Sequence, residues 1–306
     1  MTTPAIGFIG FGEAGSTIAG GLHAAGVERL CAFDIHTHSP ELGPTIRKRA
    51  QDAHTTLVDS SRELAASSDL LFSTVTSNAA RDAAAQIGPF LQNRHIYADL
   101  NSVSPALKQE IETVITGSGA RFVEAAVMAP VRPYGHQVPM LLGGAAAPDF
   151  AAMLAGYGMR FEVISSTVGT ASAVKMCRSI VVKGLEALLL ECVLGASRYD
   201  ADDRVFASLN ESFPGLDWKQ LADYMINRVV VHGERRAREM EEVAETLRAI
   251  GIEPIMADAA ARRQGWCAEQ GLRARFGADG PATYRDVLEA MGRRTDRPEA
   301  RASNPS

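Results

Sequence analysis

The sequence predicts an α/β fold in its first half, built on a doubly wound, mostly parallel sheet, and an all-α C-terminal half. Three observations carry this. From Ala5 to about Ile164, short runs rich in β-branched and apolar residues alternate with alanine-rich amphipathic segments, the pattern of repeated βα units. After Thr167 and Gly169 the strand-like runs stop, and AVKMCRSIVVKGLEALLLECVLGASRY carries almost no breaker. That stretch predicts a long, mostly buried helix. Finally, 306 residues exceed one ordinary core, because domains usually hold roughly 100 to 200 residues. The expected division is 1–166 and 167–290, with 291–306 as a disordered tail, polar and proline-bearing.

Six strands fit the doubly wound sheet: IGFIG, LCAFD ending at Asp34, TTLV, DLLFSTV, HIYADL and FVEAAVM. Each has ordinary strand length. PMLLGG and RFEVI are expected as further, edge strands, flanking a helix that starts around Pro148 and Asp149. The second half then offers helices at 203–209, 218–227, 233–250, 257–270 and 283–291, punctuated by Pro214, Gly251 and Pro254. No internal repeat is visible.

With 46% hydrophobic and 22% charged residues the chain has the composition of a folded globular protein. Its net charge of −5 gives no general basic surface for nucleic acid. MTTPAIGFIGFG runs straight into a strand without a signal-peptide pattern, so a cytoplasmic location is expected. The apolar stretch Ile180 to Leu194 is interrupted by Lys183, Glu186 and Glu191, so no membrane span is expected. Cys31, Cys177, Cys192 and Cys267 lie scattered, which argues for reduced core thiols over zinc or disulfides. One long apolar helix calls for cover on several sides, from its own shorter helices or from a second subunit. A homodimer is the favoured expectation.

Gly10-Phe11-Gly12-Glu13-Ala14-Gly15 matches G-x-G-x-x-G between an apolar strand and a helix, the setting of a dinucleotide-binding Rossmann domain. Gly10 permits the tight turn, Gly12 lets backbone approach a pyrophosphate, and Gly15 lets helix and sheet pack closely. The helix N-terminus attracts the phosphates. Asp34 ends the second strand about 20 residues on, where a carboxylate accepts from ribose hydroxyls, favouring NAD. NADP stays open through His36, His38 and Arg47-Lys48-Arg49, which would offset a 2′-phosphate if their loop folded inward. Val75 and Thr76 close the fourth strand at the ligand crevice; Thr76 equally suits the start of the next turn.

In Asp99-Leu100-Asn101-Ser102-Val103-Ser104-Pro105, Ser104 and Pro105 suit a helix cap and first turn. Asn101 and Ser102 remain to point into the crevice and hold a substrate carboxylate or hydroxyl. Taken with GFIGFGEAG and with Gly169 followed by Lys175, this segment resembles the β-hydroxyacid dehydrogenase family, which includes 3-hydroxyisobutyrate and 6-phosphogluconate dehydrogenases. The resemblance covers most of the chain. It implies a soluble oxidoreductase acting on a small anionic substrate, with Lys175 as general acid/base. Lys175 sits among Ala173, Val174, Met176 and Cys177, an apolar setting that disfavours ammonium. A snorkelling lysine paired with a carboxylate is the plainer alternative.

Several positions depart from that family. Ser179 stands where the family often has asparagine, one turn beyond Lys175. Lys183, another turn on, either meets an anionic substrate group or pairs with Glu186 or a partner subunit. Met128-Ala129-Pro130 stands where many members carry Ser-Gly-Gly, and Pro130 supplies no N–H. A bulkier or more apolar substrate follows, with Arg132, Tyr134, His136 and Gln137 available for recognition or simply exposed. The family's late lysine and aspartate fall by spacing on Arg238, a cofactor contact by that resemblance, and Glu239. His232, Arg235 and Glu239 share a helix face suited to cofactor or substrate, yet GERRAREMEEVAETL also reads as a salt-bridged surface.

Val182 replaces the glutamate acid of 6-phosphogluconate dehydrogenases by spacing, which disfavours sugar-phosphate decarboxylation. An imine reductase on the same scaffold and a non-catalytic NAD(P)-binding sensor are the competing functions.

Overall fold

The computed structural model describes residues 4–292; the tail expected from 291 onward falls almost wholly outside them. The chain divides into two compact units, Met1–Met176 and Cys177–Ser306. The division lies inside a long helix, not ahead of it.

The first unit is one eight-stranded sheet. Its strands are β1 (Ile6–Ile9), β2 (Leu30–Phe33), β3 (Thr56–Leu57), β4 (Leu70–Ser73), β5 (Ile96–Asp99), β6 (Arg121–Val127), β7 (Met140–Gly143) and β8 (Phe161–Ser165). Their order is β3-β2-β1-β4-β5-β6-β7-β8. The first six pair in parallel as a doubly wound sheet. β7 runs antiparallel to β6 and carries β8 on its far side, so β8 alone of these two is an edge. Connecting helices are α1 (Glu13–Ala24), α2 (Gly43–Asp52), α3 (Ser61–Ser67), α4 (Ala80–Ile87), α5 (Pro105–Thr116), the short α6 (Val131–Tyr134) and α7 (Ala147–Leu154).

Alternation along the strands divides the core. Phe8 and Phe72 face one layer with Ile18, Leu22 and Phe150; Ile9, Leu71 and Tyr97 face the other with Ile111 and Ile115. Because helices cover both faces, β1, β4 and β5 are buried at every residue. The carboxyl ends of β1, β2, β4 and β5 therefore project the loops that matter, after Ile9, Phe33, Ser73 and Asp99.

Helix α8 (Thr170–Ala196) begins in this unit and continues into the second. The second unit adds α9 (Asp202–Ser212), α10 (Trp218–Ala249), α11 (Ile255–Glu269), α12 (Leu272–Phe276) and α13 (Tyr284–Ala290). Its core joins Leu190 and Val193 of α8 to Ile226 and Val229 of α10 and to Tyr284 and Val287 of α13. Two expectations change here. The break expected between 227 and 233 is absent, and α10 runs unbroken for 32 residues. Gly233 is a contact point: a Cβ there would come within 2.9 Å of the Gln264 carbonyl on α11. Nor is α8 mostly buried, since Val181 is 70% and Leu188 55% exposed. Cys177 is exposed as well, while Cys31 and Cys267 are core thiols; burial pushes the Cys267 thiol up to about 11.

Candidate functional site

The glycine loop has the geometry its residues predict. Gly10 takes φ +80 and Gly15 leaves no room for a side chain, because a Cβ would lie 2.5 Å from Thr74 Oγ1 and 2.9 Å from the Gly10 carbonyl. At Gly12, by contrast, a Cβ would meet nothing within 4 Å, so the start of α1 is open to an approaching pyrophosphate. Val75 packs on Gly10. Asp34 Oδ2 accepts the Phe11 N–H at 2.8 Å, and Oδ1 accepts the His36 N–H at 2.9 Å.

Loop and adenosine-side carboxylate are thus one built piece, and they fit a dinucleotide. Two details refine the reading of this loop and its surroundings. Phe11 contributes a buried ring and an N–H already held by Asp34, so it is no phosphate donor. Exposed Thr76 bonds Asn78 Oδ1 at the head of the next turn. Glu13, in the first turn of α1, is paired with Arg132 at 3.3 Å, which offsets a carboxylate next to the phosphate approach.

The loop after β5 is tied from beneath. Lys108 of α5, fully buried, donates from Nζ to the Asp99 carbonyl at 2.7 Å and lies 3.4 Å from Asp99 Oδ1. That same Oδ1 accepts the Asn101 N–H at 2.8 Å. Burial pushes the Asp99 carboxyl above its ordinary range, with Lys108 pulling the other way. Asn101 faces inward rather than into the crevice: it is 5% exposed and its Nδ2 donates to Ser73 Oγ at 2.9 Å. Ser104 caps α5 by accepting the Leu107 N–H. Between these anchors, Ser102 is exposed and accepts a hydrogen bond from Lys175 Nζ at 2.6 Å.

Lys175 sits in the second turn of α8, and that helix start is held by Glu124 of β6. The Glu124 carboxylate, fully buried, accepts the N–H groups of Gly169 (2.7 Å), Ala171 (3.3 Å) and Ser172 (2.7 Å), and the Ser172 hydroxyl. It satisfies amides that a helix start leaves orphaned and puts negative charge at the positive dipole end. The apolar setting expected for Lys175 is only partial, since Val174 is 42% exposed.

The remaining site residues lie in the second unit. Lys183 Nζ pairs with Glu239 Oε2 at 2.7 Å, not with Glu186, and reaches Ser179 Oγ at 3.4 Å. Arg235 pairs with the same Glu239. Burial alone would raise the Glu239 carboxyl; Lys183 and Arg235 outweigh it and hold it below its ordinary value. Arg238 is exposed and bonded to Glu234 at 2.5 Å. His232 is partly buried, and burial followed by Arg235, Arg236, Arg228 and Arg273 lowers its imidazole pKa.

Residues 5–147 match the family model of the NAD binding domain of 6-phosphogluconate dehydrogenase, and residues 196–267 match a domain of unknown function, DUF1932. A conserved hypothetical protein from Sinorhizobium meliloti 1021 is 38% identical with a TM-score of 0.81, the match covering 96% of this chain and 97% of that one. An uncharacterized 28.5 kDa protein of Methanothermus fervidus is 30% identical over 254 residues, 82% of this chain and 94% of that protein. The conserved protein MTH1747, whose structure is described as similar to 3-hydroxyacid dehydrogenases, is 31% identical with a TM-score of 0.74, covering 87% and 97%.

This chain belongs to the β-hydroxyacid dehydrogenase family. In this family member the residues that match the NAD binding domain, 5–147, lie within the first unit. Its loop after β6 offers little to an anion, because the Met128 N–H is taken by the Pro139 carbonyl at 2.9 Å and Pro130 has none. Two of the residues named to replace it already have neighbours on α1. Arg132 pairs with Glu13, and His136 packs on α1 so closely that a Cβ at Gly21 would lie 2.2 Å from its Nδ1.

Sequence reasoning missed Thr74, whose hydroxyl donates to the Gly10 carbonyl at 2.7 Å, and the Lys108–Asp99 pair. It also missed Glu124. A lone acidic residue inside an otherwise apolar strand was the available signal in each carboxylate case.

Proposed function

We propose that this family member transfers hydride between NAD and the hydroxyl-bearing carbon of a small anionic β-hydroxyacid, or reduces the matching keto compound, with Lys175 as general acid/base. The observation that carries this reading is the 2.6 Å bond from Lys175 Nζ to exposed Ser102 Oγ. An amine and a hydroxyl in hydrogen-bond contact suit proton transfer and substrate positioning.

Bound nicotinamide supplies the hydride acceptor at its C4. In the oxidation direction the substrate O–H proton passes to the neutral Lys175 amine as the C–H bond breaks, leaving a carbonyl and an ammonium. In reduction the ammonium returns that proton to the carbonyl oxygen. Ser102, accepting from Lys175, still carries its own O–H to donate to the substrate. Glu124, through α8, and Asp99 with Lys108, through the β5 loop, hold the two groups in place.

Asp34 supports NAD, because its carboxylate would repel a 2′-phosphate. Three of the basic residues that would counter it are engaged elsewhere: Arg47 with the Thr37 carbonyl at 2.7 Å, Lys48 with Asp52 and His38 with Asp59. Exposed Val181 and Leu188, seven residues apart on α8, support a homodimer. Among the described residues no helix is long and apolar enough to cross a membrane; a cytoplasmic location remains part of this proposal.

The test is reduction of NAD and NADP across a panel of β-hydroxyacids, wild type beside Lys175→Ala. The reading expects turnover that falls about 10² to 10⁴-fold in the variant while NAD affinity is retained. Undiminished turnover in Lys175→Ala would remove the lysine from the mechanism. NAD binding without turnover on any hydroxyacid would shift the assignment to imine substrates or to a sensor.

A further inference from the structure

The segment 131–137, which follows β6, meets α1 through Arg132 and His136. His136 packs on Gly21, where a Cβ would collide with the imidazole ring. Arg132 pairs with Glu13, its Nε 3.3 Å from Oε1. Arg132 also stands between Pro130 and Pro133. A residue before proline is confined to extended backbone, and Arg132 has φ −82 and ψ 133. Two prolines and a packed imidazole thus fix where this arginine leaves the backbone, beside the first turn of α1.

That turn is where a dinucleotide pyrophosphate approaches. Gly12, the N-cap, has no side chain to bond the first N–H groups of α1, and a helix start attracts phosphate. The local charge is otherwise unfavourable. Glu13 lies in that turn, Asp34 is bonded to the Phe11 N–H, and a pyrophosphate brings two further negative charges. The positive end of a helix, roughly half a charge, does not offset them.

We propose that Arg132 is a phosphate-binding residue of the dinucleotide site, with Glu13 as the group that aims it. The Arg132 side chain is 73% and that of Glu13 62% exposed, and exposed pairs of this kind hold weakly. A guanidinium carries five N–H donors, more than one carboxylate engages. Arg132 therefore keeps Glu13 and still bonds a phosphate oxygen, with the charge-assisted geometry that guanidinium and phosphate share. This assigns Arg132 to the cofactor and not to substrate recognition. It rests on the dinucleotide reading of the glycine loop and is independent of the chemistry at Lys175. NAD and NADP share the pyrophosphate, so the role is the same for either.

The experiment is calorimetric titration of the full chain with NAD, and with NADP beside it, in wild type, Arg132→Gln, Glu13→Gln and the double variant. Arg132→Gln should weaken the preferred cofactor about tenfold; Arg132→Lys, which keeps the charge but not the planar fork, should weaken it less. The loss should persist in the Glu13→Gln background, because the arginine acts on phosphate as well as on Glu13. Adenosine, which lacks the pyrophosphate, should bind wild type and Arg132→Gln equally. Unchanged cofactor affinity in Arg132→Gln would overturn the role, as would a loss that vanishes in the Glu13→Gln background or an equal loss for adenosine. A wild type that binds neither cofactor would overturn the dinucleotide reading as well, which separates the two failures.

Discussion

Glu124 on β6 accepts the Ser172 N–H at 2.7 Å, 48 residues away in sequence, and so fastens the start of α8 to the middle of the sheet. Lys175 follows three residues further on, just under one helical turn. The helix start that aims the proposed acid/base is therefore set by a buried carboxylate that never touches substrate.

Glu124→Gln tests this directly. The amide keeps one acceptor but turns an NH2 toward backbone N–H groups of Gly169 and Ala171 or of Ser172. Losing charged hydrogen bonds and leaving buried donors unpaired costs about 2 to 4 kcal/mol, read as a lower urea midpoint. Turnover should fall while NAD affinity holds, because the glycine loop belongs to β1 and α1. An NAD affinity that collapsed along with turnover would mean the effect is general unfolding instead.

Asp34→Asn removes the charge from the adenosine end while preserving an acceptor for the Phe11 N–H, bonded at 2.8 Å in the wild type. NAD binding should weaken about tenfold, since ribose hydroxyls lose a charged acceptor, and NADP should gain relative to NAD. Titration of both cofactors by intrinsic fluorescence measures this. A wild type that already preferred NADP would contradict the role given to Asp34.

Much of this arrangement was legible in the residues. The strand runs, the glycine loop and Asp34 are local patterns, and the sheet obeys them because alternation and turn chemistry act over a few residues. Asn101 was misjudged for a different reason: sequence gives its polarity, whereas its inward direction follows from Ser73, 28 residues away. The same holds for Lys108, whose charge is plain but whose burial depends on Asp99. Gly233 illustrates the converse, a residue with a strong local preference against helix that tertiary packing overrides.

His95 gives a pH dependence. It is fully buried, its Nε2 lies 2.9 Å from the Ala65 carbonyl, and its Nδ1 accepts the Gln92 N–H at 2.7 Å, an arrangement suited to the neutral ring. Burial, with Arg94 adding to it, lowers its pKa below 6.5 despite the carbonyl contacts. The unfolded chain thus binds a proton more readily, so this contribution is intact above 6.5 and is lost as pH falls below it. Urea midpoints should drop on acidification, and the drop should be smaller in His95→Gln. Equal slopes in both proteins would exclude His95 as the source.

Gly233→Ala sets two effects against each other. Alanine is favoured over glycine inside a helix by about 1 kcal/mol, so propensity alone predicts a more stable α10. The new methyl would, however, stand 2.9 Å from the Gln264 carbonyl and 3.3 Å from Ala268 Cβ on α11. The first neighbour is backbone and cannot swing aside, so the two helices must part, and overpacking of this kind costs about 1 to 3 kcal/mol. The balance is a loss of about 1 kcal/mol in thermal or urea unfolding. A stabilised Gly233→Ala would show that α10 and α11 separate more easily than their contact implies.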